Sequence, residues 1–265
     1  MSIDFKRIRS GLRSFGRFPE LLRCASQSPD WLAISSAYLG FRSLEYPRVW
    51  KNSDGHHITF EDFHDLTTAW VIYNKLEYQI DSSCRTIIDA GANVGMFSLF
   101  AASRAPDSKI IALEPFGSTR ARLESNIQNN KLSDRVTIRP WALARDDGER
   151  YMDDSPAIPS ISRTLLAENS SERGIRIPTI SLTSLLRKEK LERIDFLKLD
   201  IEGSEHEVLL STPVETLEKI HTIGMEYHHT APKSTLFRSL IDSGFKLIKD
   251  RPTQRDSGIA HFQRP

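Results

Sequence analysis

From residue 84 to residue 227 the chain predicts an α/β fold, a doubly wound and mostly parallel sheet preceded by an N-terminal helix and hairpin appendage. Three features carry this expectation. Short apolar runs of strand length recur at 86–88, 109–113, 136–138, 194–199 and 220–227. Segments of helical length fall between or after them at 96–103, 119–130 and 205–211. Strands alternating with helices of that size indicate a parallel sheet with helices on both faces. The first strand also runs straight into the glycine turn Asp89-Ala90-Gly91-Ala92-Asn93-Val94-Gly95 and then a helix. In such sheets ligands bind beyond the carboxyl ends of the strands, so that turn is where a site is expected.

The 265 residues suffice for one large domain or a domain with an appendage. Lys and Arg total 36 against 35 Asp and Glu, a balance that gives no reason to expect nucleic acid as a partner. Cys24 and Cys84 form neither a zinc spacing nor a redox pair, and isolated thiols suit a reducing compartment. No apolar run approaches the roughly 20 residues that span a bilayer, and no secretory stretch opens the chain, so a cytoplasmic location is expected.

Along the chain, Lys6, Arg7, Arg9, Arg13, Arg17 and Arg23 make the first 25 residues basic, while Phe5, Ile8, Leu12 and Phe15 recur at helical spacing. This segment reads either as a helix packed on the core with a solvated basic face, or as a weak membrane-surface or partner contact through residues 5–23. Residues 26–45 read as a second helical segment. Two extended runs, 47–50 and 56–60, flank Asn52-Ser53-Asp54-Gly55 and signal a hairpin. Residues 67–80 read as a helix. The expected division is an appendage over 1–80 and a ligand-binding domain over 81–265. The polar stretch 153–174 reads as a long loop, and with the appendage it is expected to shape an acceptor pocket.

The glycine turn discriminates between cofactors. Gly91 and Gly95 let the backbone bend sharply and approach a ligand. Glu114 ends the next strand, nineteen positions after Gly95, where a carboxylate can accept both hydroxyl protons of a ribose. A dinucleotide would place its pyrophosphate here, but Asn93 replaces the middle glycine of that fingerprint and Asp89 adds negative charge. A sulfonium cofactor carries no phosphate and is favoured by a nearby carboxylate. S-adenosylmethionine is therefore expected ahead of NAD.

These residues, with Glu114-Pro115, Trp141-Ala142-Leu143 and the run Asp195-Phe196-Leu197-Lys198-Leu199-Asp200-Ile201-Glu202-Gly203-Ser204-Glu205, resemble the FkbM family of methyltransferases over about residues 46–250. The last run is the most specific. The resemblance implies a Rossmann-like fold, S-adenosylmethionine as cofactor and O-methylation of hydroxyls on sugars or secondary metabolites. It implies that Gly91, Asn93 and Gly95 line the methionine part, that Asp89 sits near its amino group, and that Glu114 holds the ribose. Phe116 and the turn Trp141-Ala142 would flank the adenine, although Phe116 departs from the small polar residue usual in the family. It leaves residues 1–45, the acceptor and the oligomeric state open.

A second constellation stands at the ends of two later strands. Asp200, Glu202 and Glu205 follow the strand at 194–199, and Glu226, Tyr227, His228 and His229 end the strand at 220–227. A hydroxyl is a poor nucleophile at neutral pH, and a positioned carboxylate or imidazole can remove its proton. Asp200 and His228 are the candidates for that work, with Glu202 and Glu226 orienting the base or the acceptor. The competing structural reading makes Ser204 and Glu207 a capping box, with Asp200 and Glu202 merely favouring a helix N-terminus. Asp200, Glu202, Glu226 and His228 also suffice chemically for a divalent metal, but spacing does not establish convergence and no metal is assigned. Two rivals stand beside methyl transfer: an NAD-dependent oxidoreductase, and a non-catalytic cofactor-binding protein that acts through partners.

Overall fold

The computed structural model describes residues 18–152, 165, 174–254 and 256–265. The apolar stripe predicted over residues 5–15 and nearly all of the loop predicted at 153–174 lie outside the described residues. The chain divides into two compact units. One comprises the described residues up to Gln79 with Ser125–Lys131, and the other Ile80–Glu124 with the remainder to Pro265.

In the first unit the predicted helical segment at 26–45 is realised as the end of one helix and a short second one, α1 (Phe18–Gln27) and α2 (Trp31–Tyr38). Pro29 separates them, because its ring disfavours helical backbone at the preceding residue. The hairpin forms as β1 (Arg48–Lys51) and β2 (His57–Phe60), antiparallel with Lys51 opposite His57. Gly55 supplies the left-handed turn residue at φ +84°. The helix predicted at 67–80 instead starts at α3 (Phe63–Ala69) and ends in a π-helical turn at Asn74. Asp62 sets its start by accepting from the amides of His64 and Asp65 at 2.8 and 3.1 Å. Its end is set by the wide Lys75 N–H to Trp70 carbonyl bond and by left-handed Leu76 at φ 52°. Tyr38 stacks on Trp70 at 4.1 Å, and Trp50 meets Tyr73 edge-on at 5.0 Å. The Asn130 side chain donates to the His57 carbonyl and accepts from its amide, both at 2.8 Å, closing the open edge of β2.

The second unit carries the sheet. Its strands are β3 (Thr86–Ala90), β4 (Lys109–Leu113), β5 (Val136–Arg139), a small separate group β6 (Ala142–Leu143), β7 (Gly148–Met152) and β8 (Ile175–Ile180), then β9 (Ile194–Leu199), β10 (Ile220–Tyr227), β11 (Lys246–Gln254) and β12 (Ser257–Gln263). The main sheet runs β11-β12-β10-β9-β3-β4-β5. The strands from β10 to β5 are parallel, and β12 and β11 continue the sheet antiparallel. Helices α4 (Met96–Arg104), α5 (Gly117–Asn129), α6 (Leu182–Lys188), α7 (Glu205–Ser211), α8 (Val214–Leu217) and α9 (Lys233–Asp242) complete the unit. The fold is thus the α/β arrangement with a mostly parallel sheet. The predicted strands at 109–113, 194–199 and 220–227 are realised at those bounds. From β3 the chain builds outward to β4 and β5, then crosses back to place β9 on β3's other side. That reversal is the topological switch point where doubly wound sheets open a crevice.

Among the described residues no helix is long and apolar enough to cross a membrane.

Candidate functional site

The turn after β3 is fixed by backbone geometry. Gly91 and Gly95 stand at φ +76° and +91°, and Asn93 shares the left-handed region at 50°. Asn93 is tolerable there because a short polar side chain admits that conformation better than most. Gly91 is needed for a second reason: a Cβ would lie 1.9 Å from the backbone oxygen of Asp200. The turn and the end of β9 therefore touch through a contact that has no room for a side chain. The amides of Gly91 and Ala92 both donate to the Leu113 carbonyl, at 3.2 and 2.9 Å, and the Asp200 amide donates to the Ala90 carbonyl at 3.2 Å.

Glu114 closes the other side of the turn. One carboxylate oxygen accepts from the Asn93 amide at 3.0 Å and the other from the Phe116 amide at 2.9 Å. Burial pushes its pKa up to about 7, against the pull of those two amides and of Lys198. Phe116 and Ala142 meet in one small apolar cluster with Met152 and Ile177. Trp141 does not join them. It packs on the main core with the Lys188 ammonium 4.6 Å above its ring and the Arg139 guanidinium 5.9 Å away. Phe116 and Ala142 thus share one cluster, while the two cations hold the Trp141 indole against the main core.

Asp89 stands near the carboxyl end of β3. It is fully buried, with one oxygen accepting from Ser98 Oγ at 2.7 Å and the other 3.2 Å from Lys198 Nζ. Its charge answers a protein cation and holds the start of α4, and the oxygen that faces Lys198 has no hydrogen-bond partner. Lys198 was not among the residues singled out from sequence. The register pairs it directly with Asp89 across β9 and β3. Its signal was available: a lone lysine inside an apolar strand buried on both faces must find carboxylates.

The second constellation converges. Asp200 and Glu202 follow β9, and His228 follows β10. His228 Nδ1 lies 3.1 Å from Glu205 Oε1 and its Nε2 3.4 Å from Glu202 Oε2. Glu205 is fully buried and also accepts from the amides of Ile201 and Gly203, which shapes the loop that leaves β9. Burial would lower the His228 pKa, but Glu205, Glu202 and Glu226 outweigh it and raise it to about 9. A value raised that far favours the imidazolium near neutral pH, a state in which the ring would position its carboxylate neighbours rather than act as a base. The carboxylates move the other way. Burial and then Asp200 raise Glu202 to about 8, and the same two causes raise Glu226 to about 7. The Glu226 side chain makes no hydrogen bond or ion pair among the described residues.

The capping-box alternative is not realised. Ser204 makes no side-chain cap bond, and Glu207 pairs instead with Arg150 at 2.7 Å. Asp200, Glu202 and His228 each place a ligand-capable atom within 4.8 Å of the others, a spacing a divalent cation could bridge. A protonated ring would offer no lone pair from Nε2 to such an ion.

The residues of the turn fit an amino-acid tail. Asn93 Oδ1 is buried without a hydrogen-bond partner, an acceptor that an incoming ammonium would satisfy. The model of the methyltransferase FkbM domain matches residues 89–247, more than half of the chain. Among curated relatives, the chain is 28% identical over 188 residues to the AMB antimetabolite synthetase AmbE of Pseudomonas aeruginosa, covering 58% of this chain but only 9% of that protein. It is 29% identical over 195 residues to methyltransferase sdnD of Sordaria araneosa, covering 62% of this chain and 75% of the relative. It is 26% identical over 170 residues to the 31-O-demethyl-FK506 methyltransferase FkbM of Streptomyces tacrolimicus, covering 54% and 65%.

Proposed function

Because the chain belongs to the FkbM methyltransferase family and uses S-adenosylmethionine, we propose that it methylates a hydroxyl oxygen, on a sugar or a secondary metabolite. One observation carries the choice of oxygen: a carboxylate cluster with raised proton affinity, Glu202 and Glu226, at the strand ends beside the cofactor turn. An amine acceptor that is neutral at the site needs no such base, whereas a hydroxyl gains from one. The printed name of the Streptomyces relative, a 31-O-demethyl-FK506 methyltransferase, agrees with oxygen as the target.

When bound, S-adenosylmethionine supplies an electrophilic methyl on a positive sulfur that leaves as a neutral thioether. The chain's residues do the rest. Asn93 and Gly91 receive the amino-acid tail, and Glu114 holds the ribose hydroxyls while it keeps the turn in place. Phe116 and Ala142 offer an apolar wall to the adenine. Glu202 takes the hydroxyl proton as the acceptor oxygen bonds to the methyl, and Glu226 is the reserve carboxylate. His228 is a positioning residue that holds Glu202 through Nε2, and Asp200 orients the acceptor. Placement contributes as well as proton transfer, since effective molarities are worth ~7–11 kcal/mol.

The test is transfer of labelled methyl from S-adenosylmethionine to a panel of sugars and hydroxylated metabolites, followed by identification of the bond formed. An ether product supports the proposal. Label found only on nitrogen or carbon overturns it.

A further inference from the structure

Lys198 is wholly inside the protein, its side chain 4% exposed, yet its ammonium lies between the two halves of the site. Nζ donates to the Gly91 carbonyl at 2.7 Å and lies 3.2 Å from Asp89 Oδ1 and 3.5 Å from Asp200 Oδ2. Its hydrogen bonds go to the Gly91 carbonyl and, at 3.5 Å, the Ala90 carbonyl, while the carboxylates of Asp89 and Asp200 flank it as ion-pair partners on two different strand ends. Asp89 is fully buried, whereas the Asp200 side chain is 30% exposed. The cation thus runs from the core, through the turn, to the acceptor end. Its other near neighbours are Phe97 on α4, 5.9 Å away, and the buried carboxylate of Glu114 at the end of β4.

We propose that Lys198 is a positioning residue of the transfer: its ammonium ties the Gly91 carbonyl to the Asp200 carboxylate and so keeps the cofactor turn and the acceptor end in one register. Stability alone does not account for it. A buried ion pair is often no more stabilising than an apolar pair of similar volume. An apolar pair, however, would leave the Gly91 carbonyl without its donor and Asp200 without its tether. The contact that excludes a Cβ at Gly91 brings the same two segments together from the backbone side.

The proposal rests on the methyltransferase reading, and its test separates the two. Binding of S-adenosylhomocysteine is measured by calorimetry on the full chain, with kcat and KM for S-adenosylmethionine alongside. Lys198→Ala is expected to weaken S-adenosylhomocysteine binding about tenfold or more, the scale of a lost charge-assisted hydrogen bond, and to lower kcat as well. Propylammonium should restore part of both, and 1-propanol of the same size should not. Equal rescue by the alcohol, or unchanged affinity in the variant, overturns the proposal. If Lys198→Ala does not fold, Asp89→Asn combined with Lys198→Met removes the buried charges together. This pair is expected to melt near the wild-type temperature and still bind the ligand more weakly; wild-type affinity overturns the proposal. A wild-type chain that binds no S-adenosylhomocysteine would instead overturn the cofactor assignment.

Discussion

The turn at residues 89–95 and the cluster around Glu202 and His228 lie at ends of neighbouring strands, but they are made of different material. The turn is held by amides and carbonyls, by two left-handed glycines and by a contact that admits no side chain. The cluster is held by charge, an imidazolium set between two carboxylates with two more nearby. Backbone geometry tolerates almost no substitution and is nearly indifferent to pH. A charge cluster tolerates isosteric change and responds to every proton. Under the proposed function, the contrast would give the cofactor a fixed seat and leave the proton chemistry adjustable.

The largest effect that would break this contrast is at Gly91. Gly91→Ala places a methyl 1.9 Å from a backbone oxygen in a left-handed residue, and should destabilise the fold by more than ~4 kcal/mol, read by chemical denaturation. A loss below ~1 kcal/mol would show that the turn is pliable. Next comes Glu202→Gln, which keeps the shape and removes the base. It should lower kcat by roughly 10²–10⁴ while leaving S-adenosylhomocysteine affinity near wild type. An unchanged kcat would move the proton to Glu226 or to water. Smaller again is Glu114→Gln, expected to weaken S-adenosylhomocysteine by about 10- to 100-fold on the scale of hydrogen bonds to charged groups, measured by calorimetry.

The proton dependence sharpens the comparison further. Glu202 is raised from 4.5 to about 8 and His228 from 6.5 to about 9 in the folded chain. Both groups hold their protons more tightly when folded, so both contribute stability that is present at low pH and lost as pH rises through those values. The melting temperature should therefore fall as pH rises from about 4.5 to about 9, the span between the ordinary carboxylate value and the folded His228 value. Methyl transfer should rise over the upper part of the same range, as pH approaches about 8 and Glu202 becomes an ionised base. Parallel rather than opposed profiles would contradict the assignment of Glu202. The smallest effect is expected at Ser204, whose hydroxyl makes no cap bond. Ser204→Ala should change stability by less than ~0.5 kcal/mol in denaturant, and a larger loss would reinstate the capping box.

What the amino-acid string revealed follows the same division. Apolar periodicity and the glycine spacing placed β3, β4, β9, β10 and the turn, because those features depend on local backbone rules. The helix at 67–80 was misplaced because its start depends on the Asp62 side chain and its end on a π-helical turn. The strand β11 carries Lys246, Lys249, Arg251 and Pro252 among few apolar residues, and β12 sets Gly258 and His261 among its apolar residues, so their pattern was weak. In the site, the convergence of Asp200, Glu202 and His228 was anticipated as a possibility. The protonation of His228 was not, since it is set by Glu205 and Glu226, which reach it from another element and from the strand that precedes it. The pairing of Asp89 with Lys198 was not legible either, because the two lie 109 positions apart and are neighbours only in the folded sheet.

The central claim is that the turn at residues 89–95 and Glu114 hold S-adenosylmethionine. A crystal structure of the chain with S-adenosylhomocysteine tests it most directly. The account predicts the ligand's amino group at Asn93 Oδ1 and its ribose hydroxyls at Glu114. A ligand bound with Asn93 Oδ1 still unpartnered and Glu114 out of reach of the ribose would contradict it.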